Sequence, residues 1–142
     1  MEWLRYGKQH YPNRVCMNEY TYHDIYSAVV YVATRLQAVQ DKRIAIISDN
    51  SVTMAVYLLA AMLVRKEVLL LNVHLTAREI ENQLCELHIT TVLHSTKRRT
   101  QVPSSVRAIE FESVEPTLHD IAEDTFDWTF DDHDIAAIMN TS

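Results

Sequence analysis

The sequence predicts an α/β domain built on a parallel sheet, and three observations predict it. Ile44 to Ile47, Val68 to Leu71 and Thr90 to His94 are short, mostly apolar runs of the kind buried on both faces of a sheet. Helical patterns precede and separate them. Strand and helix alternate at the spacing of βαβ units, in which a crossover helix returns the chain to the same edge and makes the strands parallel. A length of 142 residues with 48% apolar content suits one domain with a substantial core.

Residues 3–11 read as a short helix stopped by Pro12, which cannot continue a helical hydrogen-bond ladder. Val15-Cys16-Met17 and Tyr20-Thr21-Tyr22 read as the arms of a small hairpin. From Asp24 the period changes. Ile25, Ala28, Val29, Val32, Ala33, Leu36 and Val39 form the stripe of an amphipathic helix that covers one face of a core. His23-Asp24 suits its N-terminus, where a carboxylate meets the positive end of the dipole.

Arg43 to Ser48 is the first buried strand, and Asp49-Asn50-Ser51 supplies N-cap chemistry for the next helix. That helix, Val52 to Val64, is apolar on nearly every side, so it is expected between layers. Arg65-Lys66 suits its C-terminus. Val68 to Leu71 makes the second strand, Thr76-Ala77-Arg78-Glu79 a capping box opening a helix through Leu87, and Thr90 to His94 the third strand. Residues 95–105 are polar, contain Pro103 and read as a loop; Val106 to Phe111 reads as a further strand. Glu112 to Asp132 is acidic and aperiodic, an expected excursion over the surface with a short helix near Leu118 to Ile121. Asp134 to Asn140 reads as a late apolar strand running into Thr141 and Ser142.

Composition excludes several chemistries. The single glycine, Gly7, rules out a glycine-rich phosphate loop or dinucleotide fingerprint within these residues, and a Gly-x-Ser-x-Gly elbow with it. The net charge of −6 is unevenly spread: residues 1–107 carry 13 basic and 9 acidic side chains, residues 108–142 carry 10 acidic and none basic. The compact basic cluster Lys97-Arg98-Arg99 reads as a solvated turn, too small for a nucleic-acid stripe. Cys16 and Cys85 stand 69 positions apart without metal-ligand partners, so neither a disulfide framework nor a zinc site is expected. Seven histidines include no His-x-x-x-His pair, and Asp132-His133-Asp134 reads as ordinary surface polarity because consecutive strand residues point to opposite faces. Asn72 ends a buried strand where ligands gather in parallel sheets, but an Asn capping a turn is the stronger reading. No secretory signal opens the chain, and the longest apolar stretch, Met54 to Val64, has 11 residues where a span needs about 20. A cytoplasmic protein is expected.

Three stretches, in order, resemble the N-terminal part of the adenylate-forming acyl-CoA synthetases. Tyr20-Thr21-Tyr22-His23-Asp24-Ile25 resembles the family's Leu-Thr-Tyr-x-Glu-Leu motif, with Asp for Glu and Ile for Leu. Leu71-Asn72-Val73-His74-Leu75-Thr76-Ala77-Arg78-Glu79-Ile80 is similar to its Leu-Asn-x-Arg-Leu-Thr-x-x-Glu-Leu segment, with His74 where Arg is usual. Asp134 to Ser142 resembles the strand entering the Thr-Ser-Gly-Thr-Thr-Gly phosphate loop, with Asn140 where Tyr or Phe is common. Within the family, Val39 to Ala45 and Ile47 to Ser51 are most similar to the branch of 2-succinylbenzoate–CoA ligases of menaquinone biosynthesis.

The resemblance implies that residues 1–142 are a partial N-terminal AMP-binding domain, with no second complete domain, truncated two residues into the phosphate loop. It implies ATP, Mg²⁺ and CoA as cosubstrates and cofactor of the full-length enzyme, and a small carboxylate as substrate. Thr141 and Ser142 become the first hydroxyls of the phosphate loop. The loop's glycines and lysine, the adenine-binding motif, the magnesium-binding Glu and the catalytic Lys fall beyond residue 142, so no catalytic or metal-binding residue is expected here and the fragment alone is expected to be inactive. No nucleic-acid partner is expected, and a homo-oligomer stays open. Two alternatives remain at this point: a fatty-acyl or aryl-CoA ligase of the same superfamily, and a non-catalytic α/β interaction module.

Overall fold

A computed structural model describes residues 1–113, 126–129 and the backbone of 138–141. In chain order these form α1 (Glu2–His10), β1 (Val15–Met17), β2 (Tyr20–Thr21), α2 (Tyr22–Gln37), β3 (Arg43–Ile47), α3 (Val52–Leu63), β4 (Glu67–Leu71), α4 (Ala77–Glu86), β5 (Thr91–His94), a 3-10 helix (Thr96–Gln101), β6 (Arg107–Glu110) and β7 (Ile138–Thr141). Strands β3 to β7 form one sheet in the order β6-β5-β3-β4-β7, parallel at every pairing. The predicted α/β class with a parallel sheet is therefore observed.

The two-residue period of each strand splits the apolar runs between two cores. Ile44, Ile46, Val68 and Leu93 join α2 and α3 on one face. Ala45, Ile47, Leu69, Leu71 and Val92 join Ile80 and Leu84 of α4 on the other. A strand that feeds both cores must be apolar at consecutive positions, which is why the runs showed no alternation.

Helix starts follow the expected chemistry. Thr21 accepts from the Asp24 amide at 3.2 Å while the Asp24 carboxylate accepts from the Thr21 amide at 3.0 Å, a capping box that moves the start of α2 back to Tyr22. Thr76 and Glu79 do the same for α4. Ser51 caps α3 by accepting from the Met54 amide at 3.0 Å. Helix α3 buries Val56, Tyr57, Ala60, Ala61 and Leu63, whereas Met54, Leu58, Leu59 and Met62 are half-buried, so it is covered fully on one side only.

Helix ends needed glycine and lack it. The Lys66 amide donates to the Ala61 carbonyl and the Arg65 amide to the Met62 carbonyl, a paired closure of α3 with Arg65 in the left-handed region at φ 62°. His88 closes α4 in the same way at φ 56°, with the Ile89 amide on Leu84 and its own on Cys85. A side chain there is strained where glycine is not. His88 is exposed, so His88→Gly is expected to raise stability by about 0.5–1 kcal/mol, read as a shift of the urea midpoint at constant m-value.

The one glycine present is required by packing. A β-carbon on Gly7 would lie 2.2 Å from the Tyr22 ring, where α1 crosses the start of α2. Overpacking of this kind costs about 1–3 kcal/mol and better helix propensity returns about 1. Gly7→Ala is thus expected to destabilise by up to about 2 kcal/mol, measurable by thermal or denaturant unfolding, with Tyr22→Leu in the same background recovering part of the loss.

Three expectations are corrected. The polar loop at 95–105 contains the 3-10 helix Thr96–Gln101, anchored by side chains far away in sequence. Arg65 and Lys66 do not serve their own helix's dipole. Arg65 donates to the carbonyls of Asp127 and Thr129, and Lys66 to those of Val39 and Asp41. Residues 126–129 do not merely pass over the surface: Asp127 and Thr129 are exposed, but Trp128 between them is 1% exposed and stacks on Tyr26 with centroids 5.1 Å apart. The short helix expected near 118–121, the start of the last strand at 134–137 and Ser142 lie outside the described residues.

Candidate functional site

Topology defines the site before any side chain does. The loop leaving β3 leads into α3 on one face of the sheet, and the loop leaving the neighbouring β4 leads into α4 on the opposite face. Adjacent strands whose exits diverge open a crevice beyond their carboxyl ends, where parallel α/β sheets bind ligands. The register places Glu110, His94, Ile47, Leu71 and Thr141 in one row across that edge.

Side chains tie the two crevice walls together. The Asp49 carboxylate, after β3, pairs with the Arg98 guanidinium of the 3-10 helix. Arg98 also donates to Gln101 Oε1 at 3.0 Å, and Gln101 Nε2 donates to the Val73 carbonyl, after β4, at 2.8 Å. The Ser95 amide donates to the Ile47 carbonyl, seating the 3-10 helix on the end of β3. The hydrogen bond from Arg98 holds the Asp49 carboxyl below the usual carboxylate range. Arg98 was read from sequence as part of a solvated turn. Its partners lie 49 residues earlier and 3 later, a separation no local pattern carries.

Asn72 performs the turn role expected of it, its Oδ1 accepting from the His74 amide at 2.9 Å. His94, not singled out from sequence, is 2% exposed at the edge of the sheet. Its Nδ1 lies 2.9 Å from the Ser95 carbonyl and must donate the proton there, because a carbonyl only accepts. Thr141 ends β7 opposite Leu71, on the same edge as the crevice; Ser142 lies outside the described residues.

Two cavities lie elsewhere. One of about 230 Å³ sits between α2, α3 and β6, with Leu36, Tyr57 and Ile109 in its lining. Burial there pushes the Tyr57 hydroxyl up, and that oxygen accepts from the Glu112 amide at 2.9 Å. The other, about 450 Å³, follows α4 past Cys85 to Val106. Both cysteines are free, Cys16 half-buried and Cys85 exposed. Among the described residues no group of three or more His, Cys, Asp or Glu is placed to hold a metal, and no helix is long and apolar enough to cross a membrane.

Comparison with known proteins accounts for this arrangement. A 2-succinylbenzoate–CoA ligase of Lactococcus lactis subsp. lactis (strain IL1403) is 38% identical over 144 aligned residues, which cover 100% of this chain and 31% of that protein. One of Enterococcus faecalis (strain ATCC 700802 / V583) is 29% identical over 152, covering 100% of this chain and 30% of its own length. The O-succinylbenzoate coenzyme A synthetase of Bacillus subtilis, solved with ATP and magnesium ion, superposes with a TM-score of 0.66 over 88% of this chain and 36% of its own. At 22% identity that likeness shows a shared fold. The chain thus spans about a third of the length of these relatives. Residues 4–142 match the sequence profile of the AMP-binding enzymes, and the chain belongs to that family.

Proposed function

We propose that these residues are the N-terminal part of an ATP-dependent acid–CoA ligase acting on 2-succinylbenzoate in menaquinone biosynthesis, and that they form a partial AMP-binding domain. The observation that carries this reading is the 38% identity to the Lactococcus lactis ligase across the whole chain. The carboxyl-edge crevice supports it, since an adenylate-forming site needs a place where phosphates meet loop amides. The alternatives are two: a fatty-acyl or aryl-CoA ligase, which the names of the sequence relatives above do not favour, and a non-catalytic module.

The chemistry proceeds in two displacements. A carboxylate is a poor electrophile, so one of its oxygens attacks the α-phosphorus of ATP, the bond to pyrophosphate breaks and an acyl-adenylate forms. The CoA thiol, giving up its proton, then attacks the acyl carbon and AMP leaves. When bound, Mg²⁺ would supply neutralisation of phosphate charge. In this reading Thr141 and Ser142 supply the first hydroxyls of the phosphate loop that follows β7. The clasp from Asp49 through Arg98 and Gln101 to Val73 holds the loops beside it in place, and α2 with α3 supports one wall of the acyl pocket. The adenine contacts, the magnesium ligand and the catalytic lysine belong to the part of the enzyme beyond residue 142.

The experiment is ATP–pyrophosphate exchange and thioester formation with 2-succinylbenzoate in the full-length protein, beside residues 1–142 alone. Exchange and thioester with 2-succinylbenzoate in the full-length protein, and neither in the fragment, is the expected result. Preference for a fatty or aryl acid would replace the substrate, and no exchange with any acid in a panel would favour the non-catalytic module.

A further inference from the structure

The cavity of about 230 Å³ between α2, α3 and β6 lies at the edge of the sheet opposite β7. Most of its lining is apolar: Val32, Leu36 and Val39 from α2 and the turn after it, Ile109 of β6 and the ring of Tyr57. An apolar cavity of about 150 Å³ accepts benzene, so this one has room for two fused rings. One polar group is buried in the lining. Tyr57 is 4% exposed, and its oxygen accepts from the Glu112 amide at 2.9 Å. Both residues line the cavity, so the hydrogen bond between them sets the hydroxyl at its wall. The phenol still has its own hydrogen to donate, and among the described residues no carbonyl or carboxylate receives it. Burial also pushes the Tyr57 hydroxyl above its ordinary value, so it stays a donor through neutral pH. Phe111 stacks on the ring with centroids 4.3 Å apart and holds the donor in place.

Charge around the cavity does not favour an ion. Arg35 is paired with Glu112 at 2.8 Å. Arg107, which also acts on the Asp41 carboxylate, stands on β6 with Glu110. Two cations offset two anions, which leaves no net charge to recruit an ionic guest. A buried donor without an acceptor costs free energy that an oxygen on a guest would recover. We propose that this cavity binds a neutral compound of one or two rings whose oxygen accepts a hydrogen bond from the Tyr57 hydroxyl. The site stands on the cavity alone and does not depend on the ligase reading.

The probe is 1-tetralone, a neutral bicyclic ketone, titrated into the full-length protein and followed by ligand-observed NMR. Tetralin, the same rings without the oxygen, and 1-naphthoate, an anion, are titrated beside it. Tetralone is expected to bind in the high-micromolar to millimolar range, as suits so small a ligand, and more tightly than either companion. Tyr57→Phe keeps the ring and is expected to weaken tetralone about fivefold while leaving tetralin unmoved. Ala38→Trp, at an exposed position of the lining, is expected to abolish binding of both by filling the space. It decides the location even if Tyr57→Phe lowers the melting temperature. No binding of tetralone, an equal loss of tetralone and tetralin in Tyr57→Phe, retention in Ala38→Trp, or tighter binding of naphthoate would each overturn the proposal.

Discussion

Trp128→Ala is expected to destabilise the protein by about 3–5 kcal/mol, the range for removing a fully buried large aromatic side chain. Trp128 is 1% exposed and stacks nearly parallel on Tyr26 of α2, with an interplanar angle of 16°. It anchors its segment together with half-buried Phe126, which packs against the same core; Asp127 and Thr129 beside it are exposed, and their carbonyls are held by Arg65. The loss therefore has two parts, a cavity over Tyr26 and release of the 126–129 segment from the body. Trp128→Phe keeps an aromatic face on Tyr26 and is expected to lose less than half as much. Urea unfolding followed by circular dichroism measures both, and equal losses for Ala and Phe would show that stacking is not what holds the segment.

Lys66→Met is the second large effect, about 2–3 kcal/mol. The Lys66 side chain is 6% exposed and its Nζ donates to the Val39 carbonyl at 2.8 Å and to the Asp41 carbonyl at 2.5 Å. The Asp41 carboxylate in turn accepts the hydroxyls of Thr90 and Thr91 at 2.9 and 2.7 Å, and these hydrogen bonds hold it below the usual carboxylate range. One amine thus fastens the turn after α2 to the starts of β4 and β5. Methionine fills the same space but leaves the carbonyls without donors.

The same side chain makes a pH prediction. Burial lowers the Lys66 amine below its ordinary value, with the Asp41 charge partly opposing. Between the lowered folded value and the unfolded value of about 10.4 the unfolded chain binds more protons, so stability rises with pH in that window. Lys66→Met removes this dependence. The gap between wild type and variant is therefore expected to widen as pH climbs toward 10, and a constant gap would show that Lys66 titrates as it does unfolded.

Particular elements show why some of this was legible in sequence and some was not. The capping boxes Thr21/Asp24 and Thr76/Glu79 are contacts three residues apart, so the pattern states the geometry. The stops of α3 and α4 carry no such signal, because Arg65 and His88 occupy left-handed positions where a glycine would have announced itself. Trp128 was hidden by its setting, an acidic stretch in which Phe126, Trp128 and Phe130 follow no period that extends into their neighbours. In the candidate site, the turn made by Asn72 was readable locally, whereas the Asp49–Arg98 pair joins residues 49 positions apart. Thr141 and Ser142 were singled out by resemblance alone, and their role stays a proposal.

By itself the sequence determined the α-helices and strands of residues 1–113, though not the 3-10 helix Thr96–Gln101, that the strands run parallel with both faces covered, and the family. Each of these rests on periodicity, capping or short motifs, which act over a few neighbouring residues. Only the tertiary structure decided that the strands order β6-β5-β3-β4-β7, that the loops after β3 and β4 diverge to open a crevice, and that Arg98, Arg65 and Lys66 fasten distant segments. A hydrophobic period tells a strand which faces to bury, but the choice of neighbour is made by long-range packing of complementary surfaces, and that is settled only when the whole chain is folded.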